Sequence, residues 1–364
     1  MARPVRLGIV GLGFGASAHL PAFLSMPDVK VVAVADAGSG KARQVAAATG
    51  VPRAFDGWKG LIESREIDAV SVATPPGSQA AVVCAALDAG KHVLCEKPFG
   101  KSVDDARAMW ALAKKRQLVN AVDFEFRMEP GIAALKRQVT VSAIGRIRRV
   151  DVSWFTGGRA DPSSAWSWQH DAGLGGGVLD GFGSHVVDYV EWMCQSPFVR
   201  VFARAQILVR RRKDLEGRER EVSAEDSCDL LCDLANGAIA NLRFSNASPF
   251  ASGHRIEIVG EGGRLVYAHE LPFRPDQATL AIETDARGLR PIPLESPELA
   301  PAGLDTRLFP FRQLAGSFIE AISGRSMPDL PDFHRGLRVR RILEAARRSL
   351  TDRRQIVIRG GDRD

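Results

Sequence analysis

"VRLGIVGLGFGASAH", residues 5–19, decides the fold. A short run rich in Val, Leu and Ile enters a glycine-punctuated turn, and alanine and leucine then recur at helical spacing. A buried strand, a tight turn and a helix in that order make one β-α unit of a parallel sheet. In the turn, Gly11 permits the sharp reversal and Gly13 lets the backbone approach a pyrophosphate. Ala16 takes the third position, where a small residue supports close packing of helix on strand. Phe14 sits in the same loop, and the N–H groups of the helix start offer an anion site. Asp36 ends the next apolar run, "VKVVAVAD" (29–36). A carboxylate there accepts hydrogen bonds from both hydroxyls of an adenine ribose and repels a 2′-phosphate. No arginine follows at once in "DAGSGK", so NAD is expected rather than NADP.

The rhythm continues through "DAVSVAT" (68–74) and "KHVLCE" (91–96), with helix-like segments between. It predicts an α/β fold whose N-terminal part is a doubly wound parallel sheet. "TPPG" closes the third strand and adds Thr74 and Pro75 to the candidate cofactor contacts. Ser102 and Asp105 form a capping box that predicts a helix to about Gln117. After "LVNAVDFEFR" (118–127) the strands lengthen and alternate, and "LANGAIA" and "VGEGGRLV" read as antiparallel hairpins about Asn-Gly and Gly-Gly. The expected division is 1–122 for dinucleotide binding and 123–364 for an α+β domain with a large, mostly antiparallel open sheet. Two late helices are expected at 307–323 and 332–350.

Composition excludes several classes. The chain has 364 residues, 45% apolar and 25% charged, which suits an ordinary globular protein of two domains. No apolar stretch reaches the roughly 18 residues of a membrane span, and a strand pattern begins at once without a signal-peptide layout, so a cytoplasmic protein is expected. Five scattered cysteines argue for free thiols, and Cys228 and Cys232 lack further ligands at zinc spacing; no metal is expected. The net charge of +6 comes partly from "VRRRKDLEGRER" (209–220) and the arginines of "RGLRVRRILEAARRS". Neither stretch interleaves aromatics, so both read as solvated surface rather than a nucleic-acid site.

"HVLCEKPFG" (92–100) carries the chemistry. Ligands of a doubly wound sheet sit beyond the carboxyl ends of its strands, which places Glu96 and Lys97 at the nicotinamide end of the crevice. Pro98 restricts the preceding residue and would admit a cis bond. An ammonium there could polarise a hydroxyl or carbonyl beside the ring.

Taken together, "GLGFGASAH", "VAVAD", "VATPP", "AGKHVLCEKP", "FEFR" and "GGGVLDGFGSHVVD" resemble the glucose-fructose oxidoreductase, inositol dehydrogenase and rhizopine-catabolism family of NAD(P)-dependent oxidoreductases. The resemblance runs through the chain. It implies a Rossmann domain, a second domain whose open sheet commonly mediates contacts between subunits of a dimer or tetramer, and Lys97 as a catalytic residue. It also implies an aspartate four residues before the histidine of the post-glycine helix, and a histidine where Gln79 stands. This chain departs at both places. Counting back from His185, the aspartate position is Gly181, and Asp180 falls one residue early.

On α-helical arithmetic Gly181, His185, Asp188 and Trp192 share one face, with Leu179, Phe182, Val186, Val190 and Met193 opposite. Asp180 then points about 140° from His185. His185 becomes the acid/base candidate, since an imidazole titrates near neutral pH, and Asp188 could orient it or favour its charged form, or equally cap a neighbouring loop. Asp180 and the open position at Gly181 are kept as substrate contacts. Trp166, Trp168, Gln169 and His170 suit a polyol or sugar, with core packing as the alternative for the tryptophans. Arg127 could hold a substrate carboxylate or phosphate, or could pin the domain junction. The expected function is hydride transfer between NAD and a sugar, cyclitol or related polyol; the alternative is a non-redox NAD-binding regulator or an NAD-dependent glycosidase.

Overall fold

The computed structural model describes residues 3–271, 273, 277–295 and 307–359. The chain forms two compact units, Met1–Met128 with Glu298–Arg340, and Glu129–Pro297 with Arg341–Asp364. The division drawn at residue 122 places Asp123 and the first late helix in the second part. By compactness both belong to the first, because a chain that returns to an earlier core leaves no local sign of doing so.

In the first unit, β1 (Val5–Val10), β2 (Val29–Asp36), β3 (Arg53–Asp56), β4 (Ala69–Val72), β5 (His92–Glu96) and β6 (Asn120–Asp123) form a parallel sheet in the order β3-β2-β1-β4-β5-β6. That is the strand order of a doubly wound dinucleotide fold, whose switch point lies between β1 and β4. A π turn at Gly15–His19 leads into α1 (Leu20–Leu24), followed by α2 (Lys41–Thr49), α3 (Lys59–Glu63), α4 (Pro76–Asp88) and α5 (Val103–Arg116). The capping box at Ser102 and Asp105 forms with both of its hydrogen bonds; such a cap contributes about 1 kcal/mol. A core of Leu7, Ile9, Phe23, Val34 and Leu94 is completed by Phe311, Leu314 and Phe318, which come from α8 (Leu308–Ile322) nearly two hundred residues after the sheet ends.

The second unit is built on β7 (Ile147–Phe155), β8 (Phe198–Gln206), β11 (Ser227–Leu234), β12 (Ile239–Ser245), β13 (Gly253–Gly260), β14 (Arg264–His269), β15 (Thr279–Glu283), β16 (Arg290–Pro291) and β17 (Ile356–Val357), where β9 (Arg211–Lys213) and β10 (Glu219–Glu221) form a separate ribbon. The sheet is mixed but mostly antiparallel, with β7 and β12 running parallel. The Asn-Gly and Gly-Gly hairpins join β11 to β12 and β13 to β14 as expected. Alternation sets its two faces. Val150, Val152, Leu230, Cys232, Leu242 and Phe244 point inward, while Arg149, Asp151, Asp229, Leu231, Asn241 and Arg243 point outward. The helices α6 (Pro130–Thr140) and α7 (Ser184–Cys194) belong to this unit. The last helix, α9 (Phe333–Asp352), contributes its first turns to the first unit and its remainder to the second. No helix of the described residues is long and apolar enough to cross a membrane.

The basic stretch 209–220 is therefore an ordered β-ribbon rather than a loop. Arg340 and Arg347 of α9, read as solvated, turn inward: Arg340 is 1% exposed.

Candidate functional site

Gly11 and Ala73 meet where β1 and β4 end. Gly11 has φ +94°, and a Cβ on it would stand 2.5 Å from the Ala73 carbonyl oxygen, so only glycine fits. Gly13 has no atom within 4 Å of where its Cβ would lie, which leaves room for a phosphate. The close approach of the following turn to β4 falls on Gly15, not on Ala16: a Cβ there would lie 3.0 Å from that of Ala73. The π turn accounts for the shift, because it begins at Gly15. The Phe14 ring lies 4.1 Å beneath the Arg307 guanidinium.

Asp36 accepts from the Gly38 and Lys41 N–H groups at 3.1 and 3.0 Å and from the Ser39 hydroxyl. The Ser39 hydrogen bond leads these in holding its carboxyl below the usual aspartate range, so it is an anion ready to accept ribose hydroxyls. Thr74 Oγ1 is buried with no hydrogen-bond partner among the described residues. An orphaned hydroxyl beside an open glycine turn and an ionised aspartate at the end of β2 is what an NAD site requires, and the residues present fit that cofactor.

The turn that carries Lys97 is clamped from several sides. Lys97-Pro98 is cis. Gln79, fully buried on α4, donates from Nε2 to the carbonyl of Glu96 at 3.0 Å and approaches those of Thr74 and Lys97 at 3.3 Å. Its Oε1 accepts from the Gly100 N–H at 2.6 Å. The Arg340 guanidinium donates to the Pro98 carbonyl at 3.1 Å. Gln79 thus holds the backbone around Lys97, a role that its place after "TPPGS" does not announce. Gln79→Leu should lower unfolding stability by about 2 kcal/mol, the cost of stranding buried amide groups, and should lower kcat more than it weakens NADH binding. Denaturant titration and steady-state rates check both.

Glu96 departs from expectation. Its side chain faces the interior, where Oε1 lies 3.0 Å from Nε2 of the buried His19, while Nδ1 of that ring lies 2.7 Å from the Ser71 hydroxyl. Phe311 stacks on the imidazole at 4.1 Å. Asp123 Oδ2 lies 3.6 Å from the same Nε2. The donor atoms of His19, Glu96 and Asp123 all lie within 4.8 Å of one another. This spacing would admit a small cation, but the imidazole is already satisfied by Ser71 and Glu96.

Arg127 is buried and donates to the Asp329 carbonyl at 3.2 Å, so at least one of its donors serves the fold of the first unit.

In the second unit, a π turn at Leu179–Gly183 precedes α7. The 140° separation of Asp180 and His185 assumed an uninterrupted α-helix. A π turn pairs residues five apart, as these two are. Asp180 is nevertheless not a free carboxylate: Arg347 of α9 donates to it at 2.7 Å, and its side chain is 4% exposed. Gly181 has no atom within 4 Å of its missing Cβ, so the space above it is open. The division of α7 into polar and apolar faces does not hold, since His185, Val187, Asp188 and Tyr189 are as buried as Val186 and Val190. His185 lies beside an aromatic wall, with the Trp154 ring centre at 6.3 Å. Trp154 stacks on Phe182 at 4.3 Å and on His254 at 4.7 Å. His254 meets the Tyr189 hydroxyl at 2.9 Å and is pushed down to about 3 by burial, so it stays neutral at physiological pH.

Trp166 turns out to serve the ribbon. Its N–H groups donate to the carbonyls of Lys213 and Glu221, and Arg220 lies over its ring. Gln169 accepts from Arg159 through Oε1. His170 is lowered to about 4 by burial and by Arg159 and Arg212. Trp168 is half-buried at the start of a 3-10 turn.

Residues 5–124 match the model of the oxidoreductase family with an NAD-binding Rossmann fold, and residues 132–266 match the GFO/IDH/MocA C-terminal domain. An uncharacterized oxidoreductase of Synechocystis is 30% identical over 262 residues, covering 71% of this chain and 70% of that protein. The chain belongs to this oxidoreductase family. Among its relatives, levoglucosan dehydrogenase of Pseudarthrobacter phenanthrenivorans is 28% identical over 314 residues, covering 79% of this chain and 80% of its own. A structure of levoglucosan dehydrogenase with NADH and L-sorbose superposes with a TM-score of 0.87 at 25% identity, over 98% of this chain and 99% of that one.

Within the family's Rossmann domain, the first unit brings Gly11, Gly13, Phe14, Thr74, Pro75 and Lys97 to the ends of the strands from which the sequence reading chose them. His19 and Asp123 are the residues that reading missed, and Gln79, which it noted only as a departure at the cofactor side, clamps the Lys97 turn. His19 lies four residues beyond Gly15 in the quoted stretch, but only the return of β4, β5 and β6 beside it shows that it faces carboxylates.

Proposed function

We propose that this family member is an NAD-dependent dehydrogenase that oxidises a CH–OH group of a sugar, cyclitol or related polyol. The observation that carries this is the pairing, in one Rossmann unit, of a glycine cradle fitted to a dinucleotide with a clamped lysine at the carboxyl end of β5. The relatives' names point to sugar substrates. NAD would be held by Gly11, Gly13, Phe14, Thr74 and Pro75 along the turn ends and by Asp36 at the ribose, and when bound it accepts the hydride.

The chain's own groups do the rest. Lys97 stabilises the negative charge that develops on the substrate oxygen as its proton leaves, which fixed charges in a water-poor site do well. His185 takes that proton, and Asp188 orients the ring. Gly181 leaves space for a substrate hydroxyl that an aspartate would fill. Trp168 offers an apolar face for sugar C–H groups.

The test is NADH formation, followed by absorbance, across a panel of sugars, cyclitols and their phosphates. Sustained reduction of NAD by one class supports the reading. Tight NADH binding without reduction by any member would favour the regulatory alternative, and bond cleavage without net NADH a glycosidase.

We also propose that the protein self-associates through the outward face of the large sheet, where Leu231 and Ile239 are 45% and 46% exposed beside Arg149, Arg204 and Arg243 and the carboxylates Asp151 and Asp229. Mixed charges around apolar residues suit a self-complementary two-fold contact. Leu231→Arg with Ile239→Arg should convert the species seen by light scattering to a monomer, and an unchanged mass would move the contact elsewhere.

A further inference from the structure

Asp123 ends β6 in full burial, and no N–H or O–H group among the described residues reaches either of its carboxyl oxygens. Its neighbours are the wrong kind for an ionised aspartate. Glu96, at the matching end of β5, pairs with it in register. Glu125 follows two residues on, and it is also buried. Leaving a carboxylate ionised and unpartnered in such a place is costly, and two carboxylates can bond each other only if one carries a proton. Glu96 is the partner that ionises. Burial pushes it up, but the hydrogen bond from His19, the electrostatic attraction of that ring, the bond to Asp123 and the Lys97 charge more than offset this and leave it below its ordinary range. A carboxylate only accepts, so His19 donates to it through Nε2, while Nδ1 of the same ring shares a hydrogen bond with the Ser71 hydroxyl. Asp123 goes the other way, raised well above its ordinary value by burial and by the charges of Glu125 and Glu96, with Lys97 opposing. The groups facing it are thus Glu96 on β5, His19 on the π turn, Glu125 on its own strand's continuation and Lys97 after β5. The Cys95 thiol also feels it, and Arg307 reaches the set through Glu125, which burial and Glu96 raise to about 7.

We propose that Asp123 is a protonated carboxylic acid at neutral pH that donates its proton to the Glu96 carboxylate, and that the His19-Glu96-Asp123 chain so formed positions the peptide bearing Lys97. This rests on Lys97 acting on the substrate. Glu96 cannot swing toward Lys97 and neutralise it while His19 and Asp123 hold it from two sides. Asp123 is a positioning residue that touches neither substrate nor cofactor.

An amide imitates a neutral carboxyl, which gives the test its discrimination. Asp123→Asn should keep kcat within about threefold, whereas Asp123→Ala should lower kcat about tenfold or more with NADH affinity unchanged. Infrared difference spectra of wild type against Asp123→Asn should show a protonated carboxyl band at pH 7 that only wild type possesses; this reading needs no turnover, so it survives or fails apart from the assigned activity. A fold that holds the proton is favoured below the ordinary aspartate range and loses that advantage as pH rises toward the raised native value, because the unfolded chain has already released its proton. The melting temperature of Asp123→Asn should therefore gain on wild type as pH rises above about 4, the ordinary aspartate value. Absence of the carboxyl band, a melting difference constant with pH, or an Asp123→Asn enzyme as slow as Asp123→Ala would each overturn the proposal.

Discussion

Lys97→Met should lower kcat by about a thousandfold while NADH binds almost as before, a loss of the size seen when a preorganised donor to a developing oxyanion is removed. The reason for the separation is structural. The turn is held by Gln79 on the carbonyls of Glu96 and Lys97, by Arg340 on that of Pro98, and by the buried hydrogen bond of Glu96 to His19. None of these bonds uses the lysine Nζ, so all of them persist when it is removed. Methionine keeps the length and the apolar stem. Fluorescence titration with NADH and single-turnover rates with the best substrate of the panel separate binding from chemistry. A variant that turns over normally would take Lys97 out of the mechanism, and one that no longer binds NADH would show that its role is to hold the cofactor.

The two glycines of the first turn should fail in different ways. At Gly11 the backbone has φ +94° and the Ala73 carbonyl stands 2.5 Å from any added Cβ. Gly11→Ala should thus cost about 2 kcal/mol of stability or more from the left-handed conformation and the clash, and should also weaken NADH binding. Gly13 is different. Its Cβ would meet no protein atom within 4 Å, so Gly13→Ala should melt where the wild type melts yet bind NADH about a hundredfold more weakly, since the methyl group enters the space reserved for the pyrophosphate. Thermal unfolding and NADH titration on both variants form one experiment. If Gly13→Ala bound NADH normally, the dinucleotide would not run over this turn.

How much of this is legible in the sequence follows from the range of each interaction. The capping box at Ser102 and Asp105, the hairpins at Asn-Gly and Gly-Gly and the two late helices all depend on residues within a few positions of one another, and the chain reads them correctly. Lys97 and the glycine turn were legible for a related reason: a strand end followed by particular backbone chemistry is a local signal. The helix after the glycine run was misjudged because arithmetic at 100° per residue cannot foresee a π turn. Trp166 looked like a sugar platform until the ribbon of residues 211–221 claimed its N–H groups.

The sequence by itself determined the alternation of strands and helices, the glycine cradle, the ionised aspartate at the end of β2 and the lysine before Pro98, because period, turn chemistry and residue type act over short distances. Only the tertiary structure decided that Arg347 occupies Asp180, that Gln79 secures the Lys97 turn, and that His19, Glu96 and Asp123 lie together in one buried cluster. Those contacts join residues 17 to 167 positions apart, and whether a buried carboxylate is paired, protonated or free depends on which distant groups the fold brings within a few ångströms of it.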